Sequence, residues 1–278
     1  MTPLRRDRPP TPPARIVSLV PSLTESLFAL GLGDRVVGVT EWCVHPADEV
    51  TKLPKLGGTK NPDLEAVLAL APDLVIANQE ENRRRDVERL EAAGLRVWLT
   101  YPRTVAEGAA LLAELCELGA SADVRAAVVE PVLAAVAEAE QARPARGVPV
   151  FCPVWRDPWM AVGADTYAHD LLELCGGHNV FAERRERRYP RVSIEEIVGA
   201  APEVVLLPDE PYAFGPRDAD ELRRLPIPAA REGRIHQIDG TWVSWYGPRI
   251  AAALPVIRHL LAGSCTYPKG GVPGGKSP

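Results

Sequence analysis

The tryptophans are the residues of this 278-residue sequence whose positions say most about its chemistry. Five of the six fall where predicted strands pass into loops: Trp42, Trp155, Trp159, Trp242 and Trp245. The sixth, Trp98, lies inside a predicted strand and is expected in the core. Indole rings gathered at the ends of sheets suit a large, flat, partly apolar ligand. The alternative for each ring is a loop that folds back and buries it.

Two glutamates occupy equivalent positions in the two halves of the chain. Glu80 and Glu210 lie 130 positions apart, each just after an equivalent predicted strand. Such a pair could line the rim of a cleft or contact a partner with two-fold symmetry. Taken singly, each residue would be a solvated loop charge.

The stretch SLVPSLTE, residues 18–25, joins a predicted strand to a predicted helix. Ser22 and Glu25 have the spacing of a capping box, in which each side chain satisfies a free backbone N–H. No G-x-S-x-G motif surrounds Ser22, so its use as a nucleophile is disfavoured. The helix start could still offer backbone N–H groups to a polar edge of a ligand.

Metal and nucleic-acid sites find little support in the sequence. The five histidines form no H-x-x-H pair, and the five cysteines form no C-x-x-C pair, so neither a zinc site nor a disulfide framework is expected. His45, in a predicted interlobe loop, is the best candidate for an axial metal ligand. The net charge of −5 argues against a nucleic-acid partner, and free thiols favour a reducing compartment.

Strands and helices alternate along both halves of the chain, which predicts mainly parallel sheets. Residues 64–76 return as residues 194–206, with A-P-D in the first copy and A-P-E in the second. The sequence therefore predicts an α/β fold of two similar lobes with central, mainly parallel sheets. One long backbone helix joins them, over residues 123–143 with a kink or a later start at Pro131, and the ligand cleft lies between the lobes.

The predicted boundaries follow from where this alternation starts and stops. The N-terminal lobe is expected over 15–103, the helices including the long bridging helix over 104–147, and the C-terminal lobe over 148–262. Proline-rich and glycine-rich composition predicts a disordered arm over 1–14 and a disordered tail over 263–278.

Six motifs in a fixed order carry a resemblance to a known family. They are RIVSLVPSLTE (15–25), GVTEW (38–42), GGTKNPD (57–63), APDLVIA (71–77), LLELCGGHNVF (171–181) and W-x5-P-R (242–249). Together they resemble the cobalamin-binding branch of the class III substrate-binding proteins of ABC importers, the helical-backbone metal receptors. The resemblance spans about residues 15–262.

This resemblance implies a monomeric, non-catalytic protein that binds a corrinoid (cobalamin or cobinamide) between its lobes and delivers it to an importer. Trp42 falls where the relatives place a ring-contacting tyrosine, and Trp242 where they place a tryptophan. SLVPSLTE would then build a wall of the pocket. The full set of expected ligand contacts is Pro21, Ser22, Trp42, Thr59, Lys60, Asn61, Trp155, Arg156, Trp159, Trp242, Trp245 and Tyr246.

Two departures from the family pattern concern the importer and the compartment. Arg84 stands where the family has a docking glutamate, so Glu80 or Glu81, with Glu210 on the other lobe, is expected to take over docking. The first 15 residues show no readable signal peptide, whereas the family implies a place outside the inner membrane. The compartment stays open at this point.

Three alternatives to the corrinoid remain. Haem would need an axial ligand such as Tyr246, Tyr212 or His45, and a ferric siderophore would need cleft arginines, for which Arg156 and Arg249 are candidates. A tetrapyrrole metal chelatase-like enzyme is the alternative from another class. No catalytic cofactor is expected, since the corrinoid would be cargo.

Overall fold

The computed structural model describes residues 11–263. Most of the predicted N-terminal arm and nearly all of the predicted tail, including Cys265, therefore lie outside the described residues. The last residue of the predicted arm is attached to the fold, because the backbone N–H groups of Ala14 and Arg15 both donate to Asp73 Oδ2 at 2.9 Å.

The N-terminal lobe is built around a four-stranded parallel sheet of order β2-β1-β5-β6. A short antiparallel hairpin of β3 and β4 lies beside it. The elements are β1 (Ile16–Ser18), α1 (Pro21–Ala29), β2 (Val36–Val39), α2 (Ala47–Val50), β3 (Gly57–Gly58), β4 (Asn61–Pro62), α3 (Leu64–Ala69), β5 (Leu74–Asn78), α4 (Arg84–Ala92) and β6 (Val97–Thr100).

Helices connect the two lobes: α5 (Val105–Cys116), α6 (Ala122–Val124) and α7 (Glu130–Gln141). The predicted long helix is present as α6 and α7, which are joined by a π-helical turn over Arg125–Val129. Pro131 explains the irregularity, since proline lacks an N–H and its ring clashes with the carbonyl four residues earlier.

The C-terminal lobe repeats the first sheet, with parallel strands in the order β10-β7-β11-β12. The antiparallel pair β8–β9 lies beside it. Its elements are β7 (Val148–Phe151), β8 (Pro153–Trp155), β9 (Met160–Ala161), α8 (Tyr167–Leu174), β10 (Gly177–Asn179), α9 (Ile194–Ala200), β11 (Val204–Pro208), α10 (Pro216–Arg223), α11 (Pro228–Arg231), β12 (Ile235–Ile238), α12 (Thr241–Ser244) and α13 (Arg249–Ala262).

The 130-residue repeat is confirmed in backbone detail. The strands β5 and β11 are offset by 130 residues at both ends. Asp63 and Ser193, the N-caps of α3 and α9, each accept a backbone N–H from three residues later. Ala71 and Ala201, which follow those helices, have φ of 44° and 46°, a left-handed conformation that is rare outside glycine. The predicted duplication is therefore visible even in individual backbone torsion angles.

The lobes and the connecting helices share one apolar core. Ile16 of β1, Leu112 of α5, Leu171 of α8 and Ile257 of α13 all belong to the same buried cluster. Smaller clusters complete each lobe. Across the described residues, none of the helices has the length and apolar character that crossing a membrane requires.

Candidate ligand-binding cleft

The loops that follow the carboxyl ends of the strands meet between the lobes. Because parallel strands end at the same edge of a sheet, each lobe gathers its loops on one side, where α/β proteins bind ligands. We use the term interlobe cleft for the region marked by three contacts between the lobes: His45 with Trp245, Asn78 with Tyr246, and Glu80 with Arg188.

The stretch SLVPSLTE packs behind the cleft. Helix α1 begins at Pro21 with Val20 as N-cap and without a side-chain cap, so the predicted capping box of Ser22 and Glu25 is wrong. Proline at the first helical position moves the cap upstream, because its fixed φ suits that position and it has no N–H to satisfy. Pro21 and Ser22 are buried, which places them under the cleft wall rather than on its surface.

Gly247 lets the C-terminal lobe approach α1 closely. Its φ is +103°, and a Cβ at this position would lie 2.2 Å from Ser26 Oγ. Only glycine fits here without displacement of one of the two segments.

An ion pair from α1 to α13 joins the lobes on one side of this contact. Arg249 Nε and Nη2 donate to Glu25 Oε2 and Oε1 at 2.7 and 2.8 Å, a two-pronged geometry that fixes orientation as well as charge. Arg249 Nη1 donates to Thr241 Oγ1 at 2.8 Å, and the guanidinium carbon lies 4.9 Å from the Trp245 ring centroid. The arginine that a siderophore could have used is therefore already paired.

A second ion pair joins the lobes elsewhere in the cleft. Arg188 Nη2 lies 2.9 Å from Glu80 Oε1, and the Tyr189 hydroxyl donates to the same oxygen at 3.0 Å. Arg188 Nη1 also donates to the Tyr101 hydroxyl and to Asp165 Oδ2, the latter at 3.1 Å. Burial, followed by the charge of Glu80, raises the pKa of Tyr189 above its usual range, so its hydroxyl remains a donor.

Tyr246 lies at the junction of the lobes. Asn78 Nδ2 donates to the Tyr246 hydroxyl at 2.6 Å, and Tyr167 packs edge-on with its ring centroid 5.6 Å away. Burial raises the pKa of Tyr246 well above its usual value, with a further contribution from Glu81. A buried, protonated phenol of this kind is poorly placed as an axial ligand to haem.

Carboxyl groups from equivalent strand ends lie near each other across the cleft. Burial raises the pKa of Glu81 to about 8, the charge of Glu210 adds to the increase, and Lys60 opposes it. Burial also raises the pKa of Glu210, although Ser244 Oγ and Trp245 Nε1 each donate to its Oε1 at 2.6 Å. Desolvated like charges disfavour ionisation, which accounts for both directions.

The predicted docking residues Glu80 and Glu210 both accept hydrogen bonds from side chains of the C-terminal lobe. Glu80 is held by Arg188 and Tyr189 of the opposite lobe, and Glu210 is held by Ser244 and Trp245. Their role in docking stays a prediction. Glu81 is half-buried in the same cleft.

The β3–β4 hairpin supplies Thr59, Lys60 and Asn61 to the N-terminal side of the cleft. Asn82 Nδ2 donates to the Thr59 carbonyl at 2.9 Å, and Lys60 Nζ donates to the backbone carbonyl of Glu80. Burial lowers the pKa of Lys60, against the effect of Glu81 and Glu80. A Cβ on Gly58 would lie 3.4 Å from Trp42 Nε1, so the hairpin also supports that indole.

The five loop tryptophans divide into three groups. Trp42 and Trp155 are 63% and 44% exposed. Trp242 is half-buried against the shared core. Trp245 is buried and lies edge-on to His45 of the other lobe, with ring centroids 5.8 Å apart. Trp159, at 7% exposure, lies in the core of the C-terminal lobe.

Trp159 and Arg156, two of the predicted ligand contacts, are both engaged within the C-terminal lobe. The Trp159 ring stacks on Phe214 with 7° between the planes, and the Arg156 guanidinium carbon lies 5.2 Å from its centroid. Arg156 is itself paired with Asp218 and Glu221. The short β8–β9 turn therefore buries the Trp159 ring in the lobe, and Arg156 lies between that ring and two acids.

The contacts that Glu25, Asn78 and Arg188 make between the lobes were not predicted from the sequence. Glu25 and Arg249 are 224 positions apart, and Asn78 and Tyr246 are 168 apart, so no local spacing indicates either contact. The 130-residue repeat could have placed Asn78 at a strand end, two residues before Glu80.

Within residues 11–263, no group of three or more His, Cys, Asp or Glu side chains is arranged to hold a metal ion. The four cysteines in this part of the chain are buried and free. Burial raises the pKa of both Cys152 and Cys175 to about 12, so they are unreactive thiols in the packed interior.

This two-lobed α/β architecture, with facing loop sets and a helical connection, is that of a binding protein. The chain belongs to the periplasmic binding protein family, whose match covers residues 16–241. The expected resemblance to the cobalamin-binding branch is confirmed by the relatives. A vitamin B12-binding protein of Vibrio parahaemolyticus is 28% identical over 258 residues, which cover 90% of each chain.

Solved structures agree with this placement. BtuF, the periplasmic vitamin B12 binding protein of Vibrio cholerae, matches with a TM-score of 0.80 and 25% identity over 92% of this chain and 100% of that one. The periplasmic haem-binding protein RhuT of Roseiflexus sp. RS-1 matches with a TM-score of 0.75 and 26% identity over 90% and 98%. Family and relatives are substrate-binding transport proteins.

Proposed function

We propose that this protein binds a corrinoid, cobalamin or cobinamide, in the interlobe cleft without chemical conversion and delivers it to an ABC importer. The vitamin B12-binding relatives support the ligand class. The chelatase-like alternative finds no support in the relatives. The importer-facing surface is not assigned to Glu80 or Glu210, because both are engaged within the cleft.

The pairing of cleft arginines with acids of the opposite lobe is the observation that carries the choice of ligand. Arg249 is paired with Glu25, and Arg188 with Glu80. Haem and ferric siderophores present carboxylates or other anionic groups, which need unpaired cations. A corrinoid presents amide side arms, which need hydrogen-bonding groups but no charge. Because the two arginines that join the lobes, Arg188 and Arg249, are already neutralised, the amide-bearing ring is the better match.

The exposed indole of Trp42 supplies the apolar contact in this proposal. A 63% exposed tryptophan at the cleft edge leaves a face for a planar ring. Thr59, Lys60 and Asn61 lie beside it on the hairpin and would meet the side arms. Trp155, with Tyr212 edge-on at 5.6 Å, would meet the ring's periphery from the other lobe. Trp242, Trp245 and Tyr246 would support the cleft from behind.

Haem is the second candidate ligand, and His45 is the observation that favours it. This imidazole lies in the cleft against Trp245, where it could approach the iron of a bound porphyrin. Several structural neighbours are haem-binding proteins. Haem would have to offer its carboxylates to arginines that are already paired.

Isothermal titration calorimetry with cobinamide, cobalamin and haem tests the proposal. We expect saturable binding of at least one corrinoid with a dissociation constant below about 10 µM, which corresponds to about −7 kcal/mol. The visible spectrum of bound haem would separate the two candidates. Absence of saturable binding by both corrinoids would refute the proposed function.

A further inference from the structure

Glu80 is the cleft carboxylate whose surroundings point to a role beyond joining the lobes. It comes from the loop after β5 and reaches Arg188 and Tyr189 in the loop that precedes α9. The side chains of Glu80 and Arg188 are each 24% exposed, so the pair is only partly shielded from solvent. The negative charge of Glu80 can therefore influence a bound ligand as well as Arg188.

The positive charge of Arg188 is balanced by its ion pairs with Glu80 and Asp165. Its Nε and Nη2 are buried and meet no hydrogen-bond geometry within the described range, so the ion pair at 2.9 Å from Nη2 to Glu80 Oε1 is the contact that balances this edge of the guanidinium. Its other acid, Asp165, lies at 3.1 Å but is 59% exposed, so solvent screens that charge. Glu80 is the less exposed of the two partners. A guanidinium that lost its inner counter-ion would attract a new anion strongly.

We infer that Glu80 is a specificity-determining residue, which neutralises Arg188 and so makes the cleft select uncharged amide-bearing rings over carboxylate-bearing ones. This inference rests on the proposed function of the cleft. Glu80 occupies the position that a ligand carboxylate would take on Arg188. A propionate of haem would have to displace it and leave a carboxylate unpaired in a partly desolvated site.

The substitution Glu80→Gln tests this role, because it keeps the shape and an acceptor for Tyr189 while it removes the charge. We expect haem affinity to rise about tenfold or more, since a hydrogen bond to a charged group typically contributes at least that factor. Cobinamide affinity should change by a smaller factor than haem affinity, because the amide arms of a corrinoid bring no anion to Arg188. Because Asp165 is more exposed, Asp165→Asn should produce a smaller rise.

Two controls separate this selectivity from other causes. Glu88→Gln removes the same charge from an exposed ion pair with Arg84 on α4, outside the cleft, and should leave both affinities unchanged. Glu80→Gln combined with Arg188→Gln should return haem affinity to the wild-type level. If the double variant does not fold, salt serves instead: the gain in Glu80→Gln should shrink as ionic strength rises.

The results distinguish this inference from the function on which it rests. Unchanged or undetectable haem binding in Glu80→Gln would overturn the role of Glu80, whatever the corrinoid affinity. A gain that persists in the double variant, or that is insensitive to salt, would also overturn it. Failure of the wild-type protein to bind any corrinoid would instead refute the proposed function.

Discussion

Replacement of Trp42 by alanine should weaken corrinoid binding and leave the fold intact. A tryptophan side chain buries about 150–250 Å² when it is fully covered. The 63% exposure of Trp42 therefore leaves about 100–150 Å² to be covered. A planar ring on one face would take about half of that, roughly 60 Å². At about 25 cal/mol per Å² this contributes about 1.5 kcal/mol, or about a tenfold change in dissociation constant.

Calorimetry of wild-type, Trp42→Ala and Trp42→Phe proteins with cobinamide measures this effect. We expect the dissociation constant to rise about tenfold for alanine and by less for phenylalanine, which keeps an aromatic face. The thermal midpoint should change little, because the side chain is largely outside the core. An unchanged dissociation constant in a folded Trp42→Ala protein would refute the stacking argument.

Three further predictions concern stability. Trp159→Ala should lower the free energy of unfolding by about 3–5 kcal/mol, as expected for a large aromatic side chain removed from a core, measured by chemical denaturation. Gly247→Ala should cost about 1–3 kcal/mol in the same assay, because its Cβ would meet Ser26 Oγ. The folded-state pKa of Glu81 is raised to about 8, so its contribution is fully present below pH 4.5 and is lost as pH rises through 8. Glu81→Gln should remove that decline between pH 5 and 8, seen in thermal midpoints across the range.

For each of these three predictions, one experimental result would contradict it. A Trp159→Ala protein as stable as the wild type would mean that the ring faces solvent. Unchanged stability of Gly247→Ala would mean that α1 and the 241–249 segment are not in close contact. An unaltered pH profile in Glu81→Gln would mean that this carboxyl ionises normally.

The periodic features of the fold were predictable from sequence. The predicted alternation of strands and helices is present in both lobes, and β2, β6 and β7 form in short, mainly apolar runs at 36–39, 97–100 and 148–151. The repeat of residues 64–76 at 194–206 predicted the duplicated sheet, because identical turn and strand chemistry recurs in both copies. These are local signals, in which each residue's neighbours in sequence determine its conformation.

The cleft was predicted only in part, because its contacts join distant segments. A glutamate at 25 reads as a capping residue until Arg249 of the other lobe is seen to hold it. Trp155 and Trp159 are indistinguishable in sequence, yet a tight turn exposes one and buries the other. The ion pairs could not be predicted either, since Glu80 and Arg188 lie more than 100 positions apart in sequence. Such pairings depend on how the lobes face each other.

A crystal structure of the protein with cobinamide would test the central claim most directly. We predict a ring between the loops at 40–46 and 209–215, with its face about 4.5–7 Å, centroid to centroid, from the Trp42 indole and its amide arms near the β3–β4 hairpin. A ring bound on an outer surface, or lobes that share no cavity able to hold it, would contradict the account.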